Sequence, residues 1–209
     1  MKIEKPLEDY DIYIIYDFLD LEYMLSLKEQ TIHSLWYGDN LVNDFERSVL
    51  KEPVPPKGIE EKSLDLLQEA MKKALHEIYK DDSITKYSFY PSPNTRTPEA
   101  GKRQGKMKQH IDGPPEDLGM DHGVKTYGAV YYLTDQFDGG ELVYPKLNFK
   151  FKPVANSLIL HPGKEPYWHG VDEINNGWRI SFGMLATEEY NLDDFYVYGN
   201  ADGIGEARG

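Results

Sequence analysis

Hydrophobic positions along this chain change period once, near residue 84. Over residues 59 to 80, Leu64, Leu67, Met71, Leu75 and Ile78 recur every three or four positions, which predicts an amphipathic packing helix without chemistry of its own. Upstream, the β-branched and aromatic run Tyr10 to Leu19 predicts a first strand. Asp20 then reads as the N-cap of a helix to about Trp36, with Glu22 and Tyr23 in its first turn and Gly38 just past its end. Residues 51 to 58 are proline-rich and read as a connector. From residue 84 the pattern becomes short strands, at 84–90, 107–112, 126–134, 141–145, 148–152, 157–161, 167–172 and 178–186. Turns fit between them at Asp138-Gly139-Gly140, Pro162-Gly163 and Asn175-Asn176-Gly177. Helices followed by about eight strands predict a mainly β, α+β chain: a jelly roll (double-stranded β-helix) buttressed by helices. Residues 1–209 read as a single domain, with helical support over about 1–83, a jelly-roll core over about 84–187 and a tail over 188–209.

Charge narrows the partners. Twenty-three Lys and Arg against 36 Asp and Glu give a formal charge of -13, which argues against nucleic acid, because phosphate affinity comes from basic side chains. The local basic group Arg96, Lys102, Arg103, Lys106 and Lys108 reads as a solvated loop. With no cysteine there is neither a disulfide nor a thiolate ligand. No apolar run is long enough to span a membrane, and the lysines at positions 2 and 5 precede no signal-like apolar stretch, so the expectation is a cytoplasmic protein.

The candidate chemistry is His110-Ile111-Asp112, with His169 and Arg179 far downstream. Residues i and i+2 of a strand share a face, so His110 and Asp112 can reach one ion. Two imidazoles and one carboxylate fill one face of an octahedral iron(II) and leave positions for a chelating 2-oxo acid and O₂. Zinc on the same ligands prefers a tetrahedral site with one water, so the metal depends on what else the cavity binds. Of the other histidines, His33 and His76 fall on helices, His122 is a rival ligand in a glycine-rich loop, and His161 reads as a turn residue or a group behind the ligands. A hairpin at Asn175-Asn176-Gly177 would set His169 and Arg179 on adjacent strands about 13–17 Å apart, close enough for Arg179 to grip the far end of an anionic chelator. Ser181 and Gly183 share the face of Arg179, and Tyr132 shares one with Gly128, Val130 and Thr134. Tyr132 is thus a candidate donor to the same carboxylate, and Tyr90 a second one.

These residues resemble the 2-oxoglutarate and Fe(II)-dependent dioxygenases, in the prolyl 4-hydroxylase-like branch, over about residues 84 to 187. A weaker echo lies in Asp11–Trp36. The matching pieces are His110-Ile111-Asp112, Tyr131-Tyr132-Leu133-Thr134, Phe137-Asp138-Gly139-Gly140-Glu141-Leu142, Pro145, Pro153, Ser157 to Pro162, His169-Gly170-Val171 and Gly177-Trp178-Arg179. The resemblance implies that His110, Asp112 and His169 hold Fe(II). It further implies that Arg179 and Tyr132 bind the distal carboxylate of 2-oxoglutarate and that Tyr90 lines its pocket. Oxidative decarboxylation to succinate and CO₂ would then be coupled to hydroxylation of an unactivated C–H, on a prolyl residue of a peptide or protein. O₂ is the co-substrate, and ascorbate is admitted as an accessory cofactor. Pro91–Lys106 reads as a substrate lid. Two positions depart from the pattern: Met107 stands where the family often has a tyrosine, and Leu185 where nucleic-acid dealkylating relatives have a second arginine. The alternatives are hydroxylation of a free amino acid or other small molecule, and a metal-binding jelly-roll module without turnover.

Overall fold

The computed structural model describes residues 2–37, 59–95, 107–113 and 125–188, with the side chains of 33–37, 88–95 and 178 excepted. Its strands are β1 (Lys2–Glu4), β2 (Tyr13–Tyr16), β3 (Ile84–Thr95), β4 (Met107–His110), β5 (Thr126–Tyr132), β6 (Phe137–Gly139), β7 (Leu142–Tyr144), β8 (Phe149–Phe151), β9 (Ser157–Pro162), β10 (His169–Val171) and β11 (Ile174–Glu188). Its helices are α1 (Leu21–Tyr37) and α2 (Glu61–Tyr79), and Pro145–Leu147 forms a 3-10 turn. One seven-stranded sheet runs β1-β2-β9-β5-β11-β3, with β6 paired to β11, and a four-stranded sheet runs β4-β10-β7-β8. Every pairing is antiparallel. The expected mainly β architecture with helical support is what the chain adopts.

Alternation along three central strands assigns each side chain to one of two cores. Ala129, Tyr131 and Leu133 from β5 and its end, Leu158 and Leu160 from β9, and Ile180, Phe182 and Met184 from β11 pack against the helices. There they meet Leu27 of α1 and Leu67, Met71 and Leu75 of α2, all essentially inaccessible to water. Each such side chain contributes roughly 1.5–3 kcal/mol by burial. The intervening Tyr132 and Ile159 face the other way and join Leu142, Tyr144, Phe151 and Val171 of the small sheet. The second core is therefore the space between the two sheets.

Helix boundaries follow local chemistry. The Asp20 carboxylate accepts from the N–H of Glu22 at 3.0 Å, the N-cap expected there. Lys80 closes α2 in the left-handed conformation, its N–H reaching the His76 carbonyl. The first strand is shorter than expected, at Tyr13–Tyr16, because Asp17 turns to φ 51° and Asn156 then takes over Leu19 through both its amide donor and its amide acceptor. No described helix is long and apolar enough to cross a membrane.

Three expectations fail on sheet pairing. Asn175-Asn176-Gly177 is not a hairpin turn: it lies inside β11, where Asn176 and Gly177 pair with Asp138 and Phe137 of β6. Gly177 takes φ +85° there, and a Cβ would fall 2.4 Å from the Gln136 carbonyl oxygen, so glycine serves a crowded pairing and not a reversal. By the same pairing, Phe137–Gly139 is strand where a turn was expected. The strand expected to end at residue 90 continues to Thr95, opposite Trp178, so Pro91 to Thr95 of the supposed lid are sheet; residues 96–106 lie outside the described residues.

Candidate metal centre

His110 ends β4 and His169 begins β10, and the two are direct partners across that antiparallel pair. Their rings come within 4.4 Å, centroid to centroid. After His110 the chain bends. Ile111 turns into the interior at 1% exposure, and Asp112 swings back beneath the two imidazoles. His110 Nε2 lies 3.5 Å from Asp112 Oδ1, and His169 Nε2 lies 3.7 Å from Oδ2. One donor atom from each of the three lies within 4.8 Å of the others.

Both rings are aimed by backbone. His110 Nδ1 lies 3.0 Å from the Lys108 carbonyl and His169 Nδ1 lies 3.1 Å from that of Tyr167. A carbonyl accepts only, so each Nδ1 carries the proton and each Nε2 keeps its lone pair facing the carboxylate. Burial pushes His169 down to about 3, keeping it neutral at ordinary pH. Burial works against the Asp112 carboxylate, but the surrounding imidazoles, His169 foremost, hold it well below the usual carboxylate range. Burial alone would lower His110, but its contact with Asp112 raises it, so only His169 is pushed to the neutral side. The centre offers one carboxylate and two imidazole nitrogens, a set suited to a divalent transition metal.

The carboxylate fits because the strand beneath it is bare. A Cβ on Gly128 of β5 would fall 1.6 Å from Asp112 Oδ2 and 2.7 Å from His161 Cε1. Nearby, Gly113 and Gly163 also touch backbone to backbone, a Cβ on Gly113 meeting the Gly163 oxygen at 2.1 Å. These contacts bring the end of β4 onto the large sheet.

Further along the intersheet space, β11 carries Arg179, 2% exposed, with Nε and Nη1 lacking any hydrogen-bond partner among the described residues. Its Cζ sits 5.8 Å from the Tyr132 ring centre. Tyr132 is fully buried, its hydroxyl equally unpartnered, and burial pushes the phenol up to about 12 even though Arg179 pulls it back. Ser181 is buried opposite Tyr132 in the β5–β11 register. Between this pair and the imidazoles lies Tyr144 of β7, fully buried, its hydroxyl without a hydrogen-bond partner among the described residues and its ring 5.6 Å from that of His169.

The structure thus brings His110, Asp112 and His169 together, and pairs Arg179 with Tyr132. His169 and Arg179 are not on adjacent strands: β10 pairs with β4 and β7, and β11 with β5, β3 and β6, so the two face each other across the sandwich. The Tyr90 backbone pairs with Gly183, but its side chain lies outside the described residues, as do His122 and the His33 side chain. His76 is engaged elsewhere, its Nδ1 2.6 Å from Asp82 Oδ1. Met107 is 43% exposed. Sequence reasoning passed over Tyr144 and left His161 as either a turn residue or a group behind the ligands; the structure places it behind Asp112. His161 is fully buried, its Nε2 3.6 Å from Asp112 Oδ2. Period two from the buried Ile159 was the available signal for His161, and period two from Leu142 for Tyr144.

A prolyl 4-hydroxylase from Pseudomonas putida superposes with a TM-score of 0.60 at 15% identity, over 91% of this chain and 97% of that one. A viral collagen prolyl hydroxylase from Paramecium bursaria Chlorella virus-1, solved with 2OG, gives 0.59 at 15% identity, over 89% of this chain and all of the other. The fold is that of the prolyl 4-hydroxylases. A Trichoplax adhaerens prolyl hydroxylase, in complex with a hypoxia inducible factor peptide fragment, shares this prolyl 4-hydroxylase fold at a TM-score of 0.60, with 15% identity over 93% of this chain and 90% of that one. In sequence, a PKHD-type hydroxylase of Prochlorococcus marinus strain MIT 9301 is 38% identical over 76 residues, 34% of this chain and 32% of that protein. Its counterpart in strain MIT 9312 is 37% identical over the same length, so the chain matches about a third of these curated relatives. No protein-family model matches the chain.

Proposed function

We propose that the chain is an iron(II)- and 2-oxoglutarate-dependent dioxygenase that hydroxylates an unactivated C–H, with a prolyl residue of a peptide or protein as its target. The observation that carries this reading is the buried guanidinium of Arg179, whose Nε and Nη1 have no hydrogen-bond partner among the described residues, set with Tyr132 in the same intersheet space as the His110, Asp112 and His169 donors. A buried cation without a counter-charge costs several kcal/mol, so the site calls for an anion. A dianionic 2-oxo acid supplies one at its distal end and chelating oxygens at the other.

In this reading His110, Asp112 and His169 hold the iron, which when bound supplies the oxidising power as 2-oxoglutarate and O₂ yield succinate and CO₂. Asp112 contributes the charge, and the two imidazoles are delivered with Nε2 free of protons. Arg179 receives the distal carboxylate through two N–H groups, and the Tyr132 hydroxyl donates to the same group. Ser181 borders that end, and the resemblance assigns Tyr90 to the same pocket. Ile159, Phe151 and Leu142 line the same intersheet space with buried apolar surface, which keeps water from it. Ascorbate would serve as accessory reductant. A peptide target is supported by the Trichoplax neighbour, whose structure holds a peptide fragment.

Incubation of the full chain with Fe(II), 2-oxoglutarate and O₂ tests the reaction. Succinate formation, and a one-oxygen mass gain on a proline-containing peptide library with free proline as control, are the expected results. Oxygen gained by free proline alone moves the target to a small molecule. No succinate with any substrate leaves a metal-binding module.

A further inference from the structure

Three imidazoles face Asp112, and the proposed metal ligands account for two. His161 stands outside the trio whose donor atoms lie within 4.8 Å of one another. It reaches Asp112 from β9, in the large sheet, with Nε2 3.6 Å from Oδ2. That nitrogen is buried and has no hydrogen-bond partner among the described residues. The ring is held by an edge-on contact with Tyr144 at 5.5 Å and another with His169 at 4.5 Å. The space left by Gly128 accommodates both His161 Cε1 and Asp112 Oδ2, so the two groups share one notch. Leaving a buried polar atom without a partner is destabilising. A ligating carboxylate, for its part, needs a donor for the oxygen turned away from the ion.

We propose that His161 is a positioning residue whose Nε2–H donates to Asp112 Oδ2 and so fixes which carboxylate oxygen is offered to a metal on His110, Asp112 and His169. The proposal rests on the reading of that trio as the metal site. It requires the ring proton on Nε2. Nδ1 lies 3.2 Å from the Pro162 carbonyl, the kind of contact that leaves the proton on Nδ1 of His110 and His169. Those two rings need a free Nε2 lone pair for the metal; His161 does not, so its Nε2 is free to carry the proton towards the anionic carboxylate, the stronger acceptor. Closing 3.6 Å to hydrogen-bond length takes a carboxylate shift of about 0.7 Å.

The test is metal affinity of the full chain, measured for Zn(II) and Fe(II) by chelator competition. His161→Phe keeps the ring and removes the donor; His161→Gln keeps an N–H at a similar reach. The Phe variant should bind metal about tenfold or more weakly, and Gln should recover to within about threefold of wild type. The metal-free Phe variant should melt no lower than wild type, since it loses an unsatisfied nitrogen. Unchanged affinity in the Phe variant, or an equal loss in Gln, overturns the proposal. Long-range ¹H–¹⁵N spectra of the Zn(II)-loaded wild type decide it even if neither variant folds: His161 should be the Nε2–H tautomer, with His110 and His169 protonated on Nδ1. A His161 proton on Nδ1 overturns it. Undiminished zinc affinity in His169→Ala sinks the trio reading as well, whereas a loss there with an unchanged His161→Phe sinks only the role of His161.

Discussion

The two ends of the intersheet cavity are built on opposite electrostatic plans. At the His110–Asp112–His169 end each group has a partner: one carboxylate with imidazoles on both sides, and backbone carbonyls fixing each ligand ring. At the Arg179–Tyr132 end the guanidinium lies over an aromatic face, and its Nε and Nη1 atoms have no acceptor among the described residues. The first end is assembled in advance and the second is left incomplete. Folding therefore stores unmet electrostatic demand where an organic anion would dock, and little where an ion would.

The contrast breaks most severely at Gly128. Gly128→Ala should drive Asp112 out of its notch and lower metal affinity about a hundredfold or more, as His169→Ala should, with the sheets intact by circular dichroism. Near-normal metal content by elemental analysis would show that the carboxylate can seat elsewhere.

At the other end, Arg179→Met should weaken 2-oxoglutarate about a hundredfold while leaving metal affinity within about threefold. The same variant should raise the melting midpoint of the ligand-free protein, because an apolar side chain in place of an unpaired buried charge is worth about 1–4 kcal/mol. Calorimetry reads both effects, and a lowered midpoint would mean that the guanidinium is already satisfied. Tyr132→Phe removes one hydroxyl and should cost about tenfold in 2-oxoglutarate affinity with no metal phenotype.

The smallest effect belongs to a fully partnered charge far from the cavity. Burial pushes the Asp81 carboxyl up, but hydrogen bonds from Ser83, Lys125 and Tyr127 more than reverse this and hold it at about 2. A depressed carboxyl binds fewer protons folded than unfolded, so its contribution is complete above the ordinary value of 3.8 and disappears as pH falls towards 2. Asp81→Asn should cost about 1–2 kcal/mol at neutral pH. The gap in melting midpoint should close on acidification, and a gap independent of pH would assign the loss to packing.

What could be read from the sequence was whatever one element decides alone. The period of Leu64, Leu67, Met71 and Leu75 located α2 to within a residue or two, and the Asp20 cap fixed the start of α1. Pairing was harder. Asn175-Asn176-Gly177 has hairpin chemistry, yet the same positive φ serves a glycine crowded by a neighbouring strand, and only the position of β6 distinguishes the two. The opposition of His110 and His169 depends on sheet order, which no local pattern encodes. Tyr144 was missed, and His161 left between two readings, because a polar group on a core-facing position looks like any other strand residue until its neighbours are known.

Gly128 carries one last implication. Asp112 borrows the volume that a side chain at that position would fill, so the cavity floor there is main chain and has nothing to exchange. A larger side chain at position 128 would therefore displace the carboxylate before it altered anything else, which ties the glycine to the aspartate as a pair.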